Sequence, residues 1–161
     1  MATTLSLNKL KFILKTHQFK IGVFEEDEFK IVEVDILNTD NTITKHKMTV
    51  KDVMYFTEYG TMTIPGKHIL RKTKLLLKPF IKNCEIEIIR NYAMGKVNDK
   101  NLINEINIQR LKIQSKAQEY FSLYINDHNE ISSILNIEDT NKYLYDLNKL
   151  KQFIKCKWIK Q

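Results

Sequence analysis

The sequence predicts an α+β fold: a single domain over residues 1–161, with a mainly antiparallel sheet of about four strands packed against one face of three or four helices, two of them long. Three observations predict it. Short β-branched and aromatic runs lie near both ends of the chain, apolar residues recur at helical spacing through the middle, and no repeat, low-complexity tract or Gly/Ser linker divides it. With 161 residues and 43% hydrophobic content, the chain is long enough to bury a core.

At the start, Leu7, Leu10, Phe12, Ile13 and Leu14 follow Thr3, Thr4 and Ser6, which gives a short amphipathic helix behind a choice of caps. "FKIGVF" (19–24) and "FKIVEVDIL" (29–37) are strand-like runs separated by "EEDE", so they read as a hairpin with a solvated acidic tip. In the second run the apolar positions shift from odd (Phe29, Ile31) to even (Val32, Val34, Ile36), which predicts a bulge or a two-sided strand. "NTDN" turns the chain and "TITKHKM" returns as a third strand.

Thr49 and Asp52 have the spacing of a capping box. Val50, Val53 and Met54 then share a helical face, and Gly60 is placed to stop that helix in a left-handed cap. The segment 68–95 reads as a long helix that Pro79 kinks or divides. A second long helix starts from Asn98 or Asp99 and carries Leu102, Ile106, Ile113, Ala117, Tyr120 and Tyr124 near one face. From "DHNE" at 127 onward the apolar residues lose a clean period, and a loop or broken helix is expected. At the end, "FIKCKWIK" alternates Ile154, Cys156 and Trp158 with lysines, as a half-buried strand does, with a helix as the rival reading.

The net charge of +7 comes from 26 basic residues, of which only Arg71, Arg90 and Arg110 are arginine. Base-edge and phosphate readout favours the arginine fork, so the lysine excess reads as solvated surface or as general attraction to a polyanion. Cys84 and Cys156 have neither zinc nor disulfide spacing and are expected to be buried thiols. His17, His46, His68 and His128 are scattered, "EYGTMTIPGK" lacks the Walker spacing, and "EEDE" lacks calcium-loop spacing, so no catalytic site, metal or cofactor is expected. Phe12, Phe19, Phe24, Phe29, Tyr120, Phe121 and Trp158 are expected in the core. Lysines interrupt the apolar residues at the N-terminus and no run has membrane-spanning length, so a cytoplasmic protein without membrane contact is expected. Beyond residue 146 there is no acid, which makes Lys149, Lys151, Lys155, Lys157 and Lys160 the candidate electropositive surface. It either faces DNA or keeps an edge strand soluble.

The segment "YFTEYGTMTIPGKHILR" (55–71) holds two of the four glycines and one of the two prolines. A glycine stop, an extended piece and a proline that delays the next helix make an elbow. The extended piece either closes a turn within the chain or pairs with a neighbouring subunit.

In order, "FKIGVF", "TVKDVMYFTEYGTMTIPGKHILR", two long helices and "YLYDLNKLKQFIKCKWI" resemble the neck or tail-completion proteins of tailed bacteriophages, the lambda-like and Mu-like head-to-tail joining group. The resemblance spans about residues 19–160. Ile21, Gly22 and Val23 match the family's strand; Glu58, Tyr59, Gly60, Thr61, Ile64, Pro65, Leu70 and Arg71 match its corner; Leu144, Asp146, Leu150 and Ile154 match its C-terminal pattern. Gly66, Lys67, His68 and Ile69 stand where the family has A-R-P-F, and Leu147, Asn148 and Phe153 where it has Thr, Gly and Ser. The resemblance implies a non-enzymatic virion protein, made in the host cytoplasm, that helps form a homo-oligomeric ring around the DNA channel. Its implied partners are its own copies, the connector or stopper and the tail terminator, with the corner residues as a candidate subunit contact. The alternative reading is a small basic nucleic-acid-binding protein.

Overall fold

The computed structural model describes residues 4–37, 40, 42–60, 66–134, 142–143 and 147–161. Helix and sheet are mixed, as the sequence predicts, with the strands divided between two small antiparallel sheets. The order is α1 (Thr4–Thr16), β1 (His17–Gly22), α2 (Glu25–Glu28), β2 (Ile31–Leu37), β3 (Ile43–Thr49), α3 (Val50–Tyr59), α4 (Ile69–Ala93), α5 (Leu102–Ile134), β4 (Lys142–Tyr143), a 3₁₀ helix (Leu147–Phe153) and β5 (Lys155–Lys160). The chain gathers into two compact units. One comprises the residues up to Ile21 with Lys74–Ala117 and Cys156–Gln161; the other comprises Gly22–Thr73 and Gln118–Lys155.

The first unit buries Leu10, Phe19, Ile21, Leu77, Cys84, Ile88, Tyr92, Leu102, Ile106, Ile113, Ala117 and Cys156. Along α4 the buried positions Leu77, Cys84, Ile88 and Tyr92 form one line at helical spacing, and Leu102, Ile106, Ile113 and Ala117 form another along α5. Pro79 sits within α4 without ending it, on the exposed side of the helix. Gly95 ends this helix at φ 72°, where the Lys96 amide donates to Asn91 O (2.9 Å) and the Gly95 amide to Tyr92 O (3.0 Å). That pair of bonds is the Schellman closure, and it spends the carbonyls a helix end leaves open. Asp99 then accepts from the Tyr92 hydroxyl and from Lys9 Nζ (3.2 Å), and these donors hold its carboxyl below the usual range. α5 starts three or two residues later than a cap at Asn98 or Asp99 would place it. Asn98 and Asn101 bond each other's backbone across the preceding turn, so the helix opens at Leu102. It then continues through Ile134, so "DHNE" is helical rather than the start of a loop; residues 135–141 lie outside the described residues.

β1 pairs with β5 from the far end of the chain, not with β2 as a local hairpin. The hairpin is pre-empted because "EEDE" curls into a helical turn, with the Asp27 and Glu28 amides both donating to Phe24 O (2.8 and 3.0 Å). In the second unit β2 and β3 run antiparallel in unbroken register from Ile31 opposite Thr49 to Leu37 opposite Ile43, so there is no bulge. Val34 alone of the early β2 residues is fully buried, and Ile31 is exposed. Thr49 caps α3 as expected: its hydroxyl accepts from the Asp52 amide (3.1 Å) and donates to the Asp52 carboxylate (2.7 Å). Val50, Val53 and Met54 are buried on the predicted face. Phe19 and Phe121 are core residues, but Phe12 and Phe29 are exposed. Phe12 lies 200° around α1 from buried Leu10, and Phe29 follows the α2 turn, where the Lys51 ammonium lies over its ring at 5.6 Å.

Asp27 is the acid the sequence misplaces. Its side chain is 2% exposed, and its carboxylate takes the ammonium groups of Lys155 and of Lys30 (2.6 Å). Hydrogen bonding by Lys155 and then by Lys30 outweighs burial and holds its carboxyl below the usual range. Breaking a fully buried pair costs about 3–5 kcal/mol, but these ammonium groups reach solvent, so Asp27→Asn is expected to cost about 2–3 kcal/mol in urea unfolding at pH 7. A depressed native pKa stabilises above the unfolded value, about 3.9, and the benefit fades as pH falls through the native value. The gap between wild type and Asp27→Asn should therefore persist at pH 5 and narrow below about pH 4.

Candidate functional site

The elbow forms where α3 stops and α4 begins, wholly within the second unit. The Gly60 amide donates to Phe56 O (2.8 Å), but Gly60 sits at φ 82°, ψ −171°. This is the extended positive-φ region that only glycine occupies readily, not the expected left-handed cap. Thr61, Ile64 and Pro65 lie outside the described residues. Ahead of α4, the Lys67 amide donates to Thr57 O (2.9 Å) and the His68 amide to Glu58 O (3.2 Å). Burial pushes the Lys67 ammonium below the usual lysine range.

Glu58 fastens the two helices. Its side chain points from the last turn of α3 to the first turn of α4, where Oε2 accepts from the Leu70 amide (2.9 Å) and Oε1 from the Arg71 amide (3.0 Å). Amides in a first helical turn have no partner within the helix, and the helix dipole favours a negative charge there. The residue is only 7% exposed, so this carboxylate is buried with its compensation built in. Leu70 and Arg71 thus enter the elbow through their amides. Gly66 passes so close that a Cβ there would lie 2.4 Å from Glu58 O and 2.5 Å from Tyr59 C. His68 adopts φ 52°, left-handed for a non-glycine residue, and its ring stands edge-on to Tyr59. Tyr59 is exposed and tilts against Tyr55, also exposed, at 5.0 Å between ring centroids.

The candidate basic residues do not share one environment. Lys149, Lys151 and Lys160 are exposed, whereas Lys155 is half-buried and committed to Asp27, and Lys157 is half-buried. Leu150 and Ile154, from the C-terminal pattern, are fully buried; Leu144 and Asp146 lie outside the described residues. Both cysteines are buried and free, and burial raises the Cys156 thiol to about 12 and the Cys84 thiol in the same direction. Neither is an activated nucleophile. Among the described residues no three His, Cys, Asp or Glu side chains gather into a metal-binding group, and no helix is long and apolar enough to cross a membrane. Comparison with protein families, with curated proteins and with solved structures returns no match.

Sequence reasoning placed Glu58 in the corner but missed that its side chain works on α4. The spacing signal is weak, because twelve residues separate donor and acceptor. The close approach at Gly66 has no spacing signal at all. Charge-assisted hydrogen bonds contribute about 1.5–3 kcal/mol. Glu58→Ala should lower stability by about 2–3 kcal/mol and Glu58→Gln by about 1 kcal/mol, read from denaturant midpoints. Gly66→Ala should cost about 1–3 kcal/mol, because the obstructing atoms are backbone and cannot swing aside.

Proposed function

We propose that this chain is a structural virion protein of a tailed-phage neck, forming part of a ring around the DNA channel between the head connector and the tail. The observation that carries the reading is the elbow. The residues through which the sequence resembles the joining proteins include Glu58, Gly60, Leu70 and Arg71; hydrogen bonds join Glu58 to Leu70 and Arg71 at the α3–α4 corner, and Gly60 ends α3 there. A corner fixed by backbone geometry suits a protein that must present one set shape to many copies of itself.

The outer faces of the long helices also support it. In the first unit, Leu75 and Ile86 of α4 are exposed on the side opposite the buried line, with exposed Ile89 on its flank, and Ile108 and Leu111 of α5 are exposed opposite that helix's buried line. Apolar residues in such rows suit contact with other protein surfaces. A ring closes when one such surface on each copy meets a different surface on the next. Lys149, Lys151 and Lys160 are the exposed lysines that suit unspecific attraction to a passing duplex; Lys155 is removed from that set by Asp27.

The test is a phage whose copy of this gene is silenced. Micrographs of the lysate are expected to show DNA-filled heads apart from finished tails, and the purified wild-type protein added back should join them. Intact, infectious particles in the silenced lysate would overturn the proposal, as would purified protein that stays monomeric and binds DNA with a steep salt dependence without joining heads to tails.

A further inference from the structure

β5 is bordered by β1 on one side and by a row of α5 side chains on the other. In the first unit, Arg110 Nη1 donates to Cys156 O (3.1 Å) and the Cys156 amide donates to Gln114 Oε1 (3.1 Å). In the second unit, Gln118 Nε2 donates to Ile154 O (3.0 Å). Positions 110, 114 and 118 are four apart, so one stripe of a helix takes over the hydrogen bonds of a missing neighbouring strand. The row then stops. The Gln161 amide bonds Thr16 O (2.8 Å), so the odd-numbered residues of this end face β1 and Trp158 turns its N–H and C=O to the same side as Cys156. Continuing the row along α5 at the same spacing brings Ile106 and Leu102, whose side chains cannot hydrogen-bond, and among the described residues no bond from α5 to Trp158 accompanies those at Cys156.

A groove of about 590 Å³ opens at this place. Its walls are Ile13, Leu102, Ile103, Ile106, Trp158 and Ile159. His17, Arg110 and Lys157 line it as well, and none of the lining residues is acidic. Trp158 is held as a firm wall, stacked on His17 (5.8 Å, 14°) and tilted against Phe19 (4.5 Å).

We infer that this groove receives an extended segment of a partner protein, which adds main-chain hydrogen bonds to Trp158 and brings apolar side chains and a carboxylate. The open backbone edge specifies an extended peptide, the aliphatic walls specify its side chains, and the guanidinium of Arg110 in an acid-free lining specifies the charge. The inference does not rest on the neck reading.

Trp158 is the only tryptophan in the chain, so its fluorescence reports the groove directly. In the free protein the Trp158 amide is expected to exchange with solvent at least tenfold faster than those of Lys157 and Ile159. A capped pentapeptide, Val-Ile-Asp-Val-Ile, should shift the Trp158 emission saturably and slow exchange of the Trp158 amide. Replacing its aspartate by lysine, or N-methylating its central amides, should weaken binding at least tenfold. Ile103→Gln, at an exposed position that leaves the fold intact, should weaken it at least threefold. A Trp158 amide already protected in the free protein would overturn the inference. So would the absence of a saturable shift, or equal binding of the acidic, basic and N-methylated peptides.

Discussion

The carboxylate of Glu58 is the interaction on which the corner of this protein depends. Two helices that meet at a sharp bend leave open carbonyls at one end and open amides at the other, and both must be satisfied if the corner is buried. Here one side chain carried by the last turn of α3 closes the first turn of α4, while the backbone of the same residue accepts from His68. Gly66 permits the approach because nothing larger fits beside Glu58 and Tyr59. Gly60 lets the chain leave in a direction other residues resist. Position 58 is therefore tied to 66, 68, 70 and 71 by close approach and hydrogen bonds.

The same device recurs at a smaller scale. Asp27 is almost without solvent contact and is stabilised where it sits by Lys30 and Lys155. The β5 backbone at Cys156 is satisfied by Arg110 and Gln114. In each case a polar side chain meets a backbone or charged group that apolar burial alone would leave uncompensated. This explains how a chain with 28% charged residues holds short strands that have few strand neighbours.

What was legible in the sequence followed from local periodicity and local chemistry. Thr49 with Asp52 marked the start of α3, Val50, Val53 and Met54 marked its inner face, and Leu102, Ile106, Ile113 and Ala117 marked that of α5. What was not legible depended on groups distant in sequence. "EEDE" looked like a hairpin tip because its neighbours looked like strands, and nothing local says that Lys155 reaches Asp27 or that β1 pairs with β5. The corner was recognised as a corner from Gly60, yet the residue that fastens it was visible only as one letter of a motif. The polar row at Arg110, Gln114 and Gln118 was written at helical spacing, but its meaning requires knowing that β5 lies alongside.

The most direct test of the fastened elbow is amide hydrogen exchange resolved to single residues in the first turn of α4. Amides at these positions in an uncapped helix exchange at nearly the free rate, because they have no partner within the helix. If Glu58 holds them, Leu70 and Arg71 will be protected in the wild-type protein to about the level of the following turn, and Glu58→Ala will remove that protection while Leu77 and Ile88 keep theirs. Free-rate exchange of Leu70 and Arg71 in the wild-type protein would contradict the account.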